Sequence, residues 1–456
     1  MPVSFLTRSL ALRGRDFFQE FNSPTTKGRK SSSLTPGACV SHMALMASML
    51  IFCPGCGKPQ APVAPPAAPA GTTAAVETGT VKIEFDMPVD PRAVVTIGGS
   101  EYSPKDLEQE LKLPEGEHSI SVKQPGLPLG PQPFSVARNQ RRIVRVYDPN
   151  RRAAEWALGL GARVNMIADG RELQFTSLEQ LPASSFKVVV ISLEDKSVRD
   201  EDLANLKNLA ALKSLSLART GISGAAFVHL RGLPELAELN VGGTQVTDDS
   251  LKELGSLPRL AAFRAYATPL GDEGAAQLRD LKLTTLALGS SRLTDRGLES
   301  LAQISSLTSL DVNQLAVSDL GLAHIARLPN LRSLSLENTQ VTDAGLSELK
   351  SHPKLHALFV AGTRLTDQGL EQLCQSKRWT YLRLNNTQVT DAGLQHLAGL
   401  DKLTTLGLYK TQITAAGLQH LKTLKSLQNL TVPRSKEFDA ALADLKTALP
   451  NLKVER

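Results

Sequence analysis

Cysteine is nearly absent from this chain. There are four in 456 residues, Cys39, Cys53, Cys56 and Cys374. Only Cys374 lies beyond the N-terminal segment that ends at Cys56, so no disulfide framework holds the long C-terminal part together. Aromatic residues make up just 4%, which weighs against stacking on nucleic-acid bases. The apolar run at residues 43–52, MALMASMLIF, is about ten residues and too short to span a bilayer. Net charge is +6, but its distribution matters more than its size. Residues 1–55 hold six basic side chains (Arg8, Arg13, Arg15, Lys27, Arg29, Lys30) and two acids (Asp16, Glu20). That stretch carries +4, which leaves +2 for everything after it. No basic stripe remains to follow a phosphate backbone, and nucleic-acid binding is excluded. Also missing are a G-x-S-x-G elbow, an H-E-x-x-H pair and a P-loop. No enzymatic activity and no cofactor is expected.

What is present is a repeat. Its clearest copy, residues 331–354, reads LRSLSLENTQVTDAGLSELKSHPK. Units begin at Leu212, Leu236, Leu260, Leu283, Leu307, Leu331, Leu355, Trp379, Leu403 and Leu427. The spacing is constant except in the unit at Leu260, which is a single residue shorter. Such regularity marks a solenoid. The half L-x-x-L-x-L alternates and predicts a short strand. The half G-L-x-x-L-x-x-L has helical spacing and predicts a second apolar stripe. One unit cannot cover both, so units must stack, strand on strand and helix on helix.

The frame L-x-x-L-x-L-x-x-T-x-V-T-D-x-G-L-x-x-L resembles the leucine-rich-repeat family. The resemblance implies an α/β fold: a curved, parallel-stranded solenoid of about 11 repeats plus caps. Residues 149–187 are expected to be an N-terminal cap and degenerate repeat, because Val164 precedes Val188 by one full repeat length, as Val188 precedes Leu212. Residues 188–456 are expected to be the solenoid, closed by FDAALADLKTAL and NLKVER as the C-terminal cap.

Ahead of the repeats the chain changes character three times. Residues 1–56 end in an apolar run and C-P-G-C-G, which resembles a bacterial lipoprotein leader. That resemblance implies lipidation of Cys56. The rival reading of Cys53 and Cys56, half a zinc ribbon, lacks a second pair of ligands. Residues 57–79 are a Pro/Ala-rich spacer. Residues 80–148 alternate in short strands between Pro/Gly turns. Pro114 to His118 (PEGEH), with Ser103 to Leu107 (SPKDL) upstream, resembles the PEGA domain, which implies a small all-β sandwich.

Two columns of the repeat invite a chemical reading. Asp recurs at position 13 (Asp248, Asp272, Asp295, Asp319, Asp343, Asp367, Asp391). A calcium ladder would need further oxygen ligands at fixed spacing, and none follow. The preceding Thr is read as a helix cap, and the Asp as a charge at the helix's positive end. Thr recurs at position 9, where a buried hydroxyl is expected to bond the backbone leaving the strand. Histidines at position 18 (His229, His324, His396, His420) are read as a solvated row on the convex side.

Variable strand positions remain. Positions 5 and 7 are expected to point onto the concave face, away from the core. They present Arg264, Tyr266, Asp311, Glu337, Phe359, Arg383 and Tyr409, with Lys410 beside them. Tyr, Phe and Arg held by rigid strands are hot-spot types for protein partners. Ser335, by the same logic, is expected to be exposed.

The combination resembles repeat proteins of planctomycete-type bacteria. It implies an exported, lipid-anchored, monomeric envelope protein that binds an unidentified protein partner on its concave face. Membrane contact is expected only through the anchor or leader. Two alternatives stand beside it. One is a substrate-recruiting adaptor, since T-D-x-G-L also resembles the repeats of F-box proteins. The other is a purely structural envelope role. The leader gives the first prediction: mass spectrometry of the native protein should find Cys56 as the acylated first residue. An unmodified peptide spanning residues 52–58 would refute it.

Overall fold

The computed structural model describes residues 77–456, except 88, 125–128 and 183. The leader, Cys53 and Cys56 lie outside the described residues.

Residues 77–148 contain two small sheets. In one, Thr78–Phe85 pairs antiparallel with Leu111–Pro114 and parallel with Arg141–Val146. The other has four strands, Ser100–Tyr102, Val94–Ile97, Gly116–Lys123 and Leu129–Val136 in that order. Alternation drives both. Val81 and Ile83 from the first sheet share one buried cluster with Val95, Ile97, Ile120 and Val122 from the second. Between the sheets, Ser103 and Asp106 form a reciprocal capping box on the turn Pro104–Glu108, the arrangement that satisfies two free amides at once.

From residue 163 onward a single 14-stranded sheet dominates. Its strands stand in chain order and run parallel from Lys187–Ser192 to Lys453–Glu455. Each repeat strand is very short, such as Ser309–Asp311, Ser333–Ser335 and Ala357–Phe359. Register is exact: Leu310, Leu334 and Leu358 face one another. Leu334 and Leu336 have no exposed surface and join one core that extends from Ala153 to Leu452. The short unit at Leu260 absorbs its deletion after the helix Asp272–Leu278, so Arg264 and Ala287 still pair.

The N-terminal cap differs from the degenerate repeat that the spacing of Val164 and Val188 predicts. After the helix Pro149–Gly159, strand Arg163–Ala168 pairs antiparallel with Lys187–Ser192 and with Arg171–Phe175. Val164 is therefore not one repeat ahead of Val188. A hairpin ends the parallel ladder, and its second strand, Arg171–Phe175, forms the sheet edge. At the other end, helix Phe438–Ala448 and strand Lys453–Glu455 finish the core. The layer opposite the strands is also not uniformly α-helical. Outer units use 3-10 turns, such as Gly224–Leu230 and Gly417–Thr423, and middle units use short α-helices such as Asp367–Cys374.

The T-D-x-G motif is a clamp between neighbours. In each unit from Asp272 to Asp391, Oδ1 accepts the position-12 backbone N–H of the next repeat at 2.8 Å. Oδ2 accepts that residue's hydroxyl at 2.5–2.7 Å. In most units the same hydroxyl accepts the N–H two residues on, at 3.2–3.3 Å. The Thr caps its helix, as expected. The Asp does something the sequence reading assigned to the helix dipole alone: it fastens one repeat to the next. Glycine at position 15 makes room. A Cβ there would meet the previous Asp Oδ1 at 2.0–2.5 Å at Gly274, Gly297, Gly321, Gly345, Gly369, Gly393 and Gly417.

One exception follows the same sterics. Gly224 stands where the Asp would be, and Ser250 stands where the next glycine would be. A Cβ on Gly224 would lie 2.4 Å from Ser250 Cβ. Ala226 departs from the glycine rule: there, between two 3-10 turns, Asp200 still accepts the Ser223 N–H at 2.7 Å and its hydroxyl at 2.5 Å. Hydrogen bonds to a charged group contribute about 1.5–3 kcal/mol. Gly345→Ala should therefore cost about 2 kcal/mol, and markedly less in an Asp319→Gly background. A double-mutant cycle by chemical denaturation measures this. Equal costs in both backgrounds would refute the clamp.

Candidate protein-binding face

Leucines at positions 4 and 6 point into the core, so positions 3, 5 and 7 point away from it. Register aligns them into rows across the sheet. One row runs Arg264, Ala287, Asp311, Ser335, Phe359, Arg383, Gly407. Another runs Ser309, Ser333, Ala357, Tyr381. The third is Tyr266, Gly289, Asn313, Glu337, Ala361, Asn385, Tyr409. The first two rows are strand residues and the third lies just past the strand ends, and together they make one face of the sheet.

Its most organised part is an aromatic and charged stack. The rings of Phe359 and Tyr381 are stacked, with centroids 4.6 Å apart and planes inclined by 30°. The Arg383 guanidinium lies 5.4 Å from the first ring centroid and 6.0 Å from the second. It donates to Tyr381 Oη at 3.2 Å and to Glu337 Oε1 at 3.3 Å. Burial raises the pKa of Glu337, and the Arg383 charge pulls it back only in part. Tyr381 is absent from the sequence expectation, which considered positions 5 and 7. Position 3 has the same parity, and that signal finds it.

Packing also corrects two expectations. Phe359 is only 4% exposed, because Tyr381 and Arg383 cover it. Ser335 is 3% exposed rather than open. It sits in register between Asp311 and Phe359, and its hydroxyl donates to Asn313 Oδ1 at 2.6 Å. The same oxygen accepts the Glu337 N–H at 2.7 Å. Asn385 Oδ1 takes the Tyr409 N–H in the same way, at 2.9 Å. The amide at position 7 faces outward, so a side chain must satisfy it.

The other predicted residues are spread along the face. Arg264 is half-buried, 3.8 Å from Glu238. The Tyr266 ring, 38% exposed, lies over Gly289, where a Cβ would come within 3.1 Å of it. Tyr409 is half-buried, with the Lys410 ammonium 5.5 Å from its ring. Lys410 itself is exposed and belongs to the turn after the strand, with φ +57°.

Asp311 differs from its neighbours. Its carboxylate is half-buried and accepts the Asn313 N–H at 3.1 Å. Among the described residues, no lysine or arginine forms an ion pair with it, whereas Glu238 and Glu337 each have an arginine. Burial drives its pKa up to about 7, against the Asn313 hydrogen bond and with help from nearby Glu337.

Outside this face, chemistry-bearing side chains serve structure. The position-9 hydroxyls of Thr220, Thr244, Thr268, Thr339, Thr363, Thr387 and Thr411 donate to the carbonyl three residues back, at 2.6–2.7 Å. Leu315 replaces that hydroxyl and is buried. Cys374 is buried, which pushes its thiol up to about 12. His352, at the position held by Leu328 in the preceding unit, is 2% exposed. Its Nδ1 accepts from the Lys354 and Leu355 amides, so Nε2 carries the proton that Leu328 O accepts at 2.7 Å. Among the described residues no group of three His, Cys, Asp or Glu is placed to hold a metal ion.

The geometry defines a class: a stacked-repeat protein with an open, rigid sheet face. Residues 280–302 and 327–350 match a family model described as Leucine Rich repeat. The chain thus contains leucine-rich repeats. Among solved structures it is similar to an internalin from Listeria monocytogenes, with 19% identity and a TM-score of 0.40. That match covers 61% of this chain and 91% of the other. A leucine-rich-repeat protein of Leptospira interrogans matches at 21% identity and a TM-score of 0.40, covering 56% and 62%. No curated protein matches the chain.

Asp311 makes the sign of one pH effect definite. Its folded pKa lies above its unfolded value of 3.8, so folding favours the protonated form. Stability is then lost as pH rises from about 4 to 7 and stays low above that. Asp311→Asn should stabilise the repeats by about 1–3 kcal/mol at pH 8 and leave them unchanged near pH 4. Parallel denaturation curves across that range check it. A pH-independent difference would refute the shift.

Proposed function

We propose that this chain is a non-catalytic protein-binding scaffold of the bacterial cell envelope, with its partner docked on the open face of the sheet. The observation that carries this reading is the row of Tyr266, the Phe359–Tyr381–Arg383 stack and Tyr409, held in register on one rigid sheet. Six strand steps separate Tyr266 from Tyr409, roughly 29 Å at about 4.8 Å per step. That width suits an interface burying about 800 Å² on each partner. Tyr and Arg dominate hot spots because they bring large area at low entropic cost. Here the stack is already formed, so little ordering remains to be done on binding.

The envelope part of the reading rests on the leader. Acylation of Cys56 attaches the chain to a membrane. No helix among the described residues is long and apolar enough to cross a membrane.

The test is capture of a partner with the full chain, followed by substitution. Tyr266→Ala with Tyr409→Ala should weaken binding at least tenfold and barely move the melting temperature, since neither ring is in the core. Phe359 is left intact because it is buried. His396→Ala with His420→Ala, in the helical layer, should leave binding unchanged. If the histidine pair matters and the tyrosine pair does not, the docking face is wrong.

A further inference from the structure

The open face is not evenly built. At position 7 of this stretch Gly289 lies under the Tyr266 ring and Asn313 and Glu337 are larger, but the outward residues at positions 3 and 5 other than Asp311 are small: Thr285, Ala287, Ser309, Ser333 and Ser335. They form the floor of a trough. Tyr266 and Arg264 stand on one side, and Phe359, Tyr381 and Arg383 on the other. The sheet places these walls four strand steps apart, roughly 19 Å at about 4.8 Å per step.

Asp311 rises from this floor. Every other carboxylate on this part of the face is neutralised from within the chain, Glu238 by Arg264 at 3.8 Å and Glu337 by Arg383 at 3.3 Å. Asp311 has no such partner among the described residues. On the same face, Ser309 lies two residues before it, and Ser333 pairs in register with Ser309. Both hydroxyl oxygens are buried without a hydrogen-bond partner. A half-buried carboxylate with no cation is costly, and folds keep such groups where a ligand supplies what is missing.

We propose, building on the protein-binding reading above, that this trough receives one lysine or arginine side chain of the partner, its cation on the Asp311 carboxylate. The Ser309 and Ser333 oxygens are spare acceptors for its remaining N–H groups, once the cation enters and the hydroxyls turn. The aliphatic stem of such a side chain lies along Ala287, against the Tyr266 ring that covers Gly289. The surroundings also limit the partner's sequence. Arg264 stands two strand steps to one side of Asp311 and Arg383 three steps to the other. A run of basic residues is repelled by both. A single cation flanked by acidic or apolar residues is accepted. A metal ion is a poor occupant, because one carboxylate offers too few charged ligands.

Random peptides displayed on phage and selected against the full chain at about pH 8 supply the test. The enriched peptides should share one lysine or arginine without basic neighbours. Their affinity should fall at least tenfold against Asp311→Asn, and as much when the peptide cation is replaced by norleucine or citrulline. The Asp311→Asn chain removes a destabilising charge, so it should fold, and circular dichroism confirms this. Enriched peptides that compete with one another, depend on Tyr266 and Tyr409, yet share no cation or ignore Asp311→Asn would overturn this inference and leave the docking face standing. Peptides indifferent to both tyrosines would overturn the docking face and this inference with it.

Discussion

From Asp248 to Asp391 the long sheet depends on the carboxylate clamp that joins consecutive repeats. A strand as short as these makes few ladder bonds and, alone, sets its register poorly. The clamp adds two charged hydrogen bonds at one fixed point per repeat, where strand turns into helix. Leucines above and below then fall opposite leucines. Because contacts in a solenoid are between neighbours, the clamp is a local device repeated, and its loss is felt at one junction. The motif's residues are interdependent. The threonine caps one helix and donates to the previous carboxylate, the aspartate reaches forward, and the glycine leaves the space that the carboxylate fills.

Exact register is also what makes the outer face usable. Side chains at positions 3, 5 and 7 are displayed in straight rows. Each long side chain therefore finds the same neighbours on the next strand. Phe359, Tyr381 and Arg383 stack because adjacent strands hold them within a few ångströms. Asn313 and Asn385 satisfy the outward amides of Glu337 and Tyr409 for the same reason. The resulting surface is organised before any partner arrives, and exposed Tyr266, half-buried Tyr409, the turn around Lys410 and the floor near Asp311 remain to be covered.

Among the described residues, the strand carboxylates around Asp311 are paired and Asp311 is not. Two arginines neutralise two glutamates, and Asp311 is left with backbone and burial alone. Desolvation disfavours its ionised form. A partner's cation reverses that balance, so the same residue that weakens the free fold favours the complex.

The sequence by itself determined the repeat, its period, the parallel order of the strands and the buried leucines. Periodicity is a local property, and one stacking solution covers both apolar stripes. It also determined the bond made by the position-9 threonine, since a buried hydroxyl beside a strand end has few acceptors. Tertiary structure alone decided what touches what across repeats. Asp319 reaches Thr342 in the following unit, and no pattern within one unit reports that contact. Val164 keeps the repeat spacing yet lies in an antiparallel hairpin, because a cap must end the sheet rather than extend it. Ser335 and Phe359 occupy outward positions yet are buried, because neighbours on adjacent strands lie over them. Strand parity tells which way a side chain points. Whether solvent reaches it depends on the sizes of the residues one repeat before and one repeat after, which meet only when the units stack.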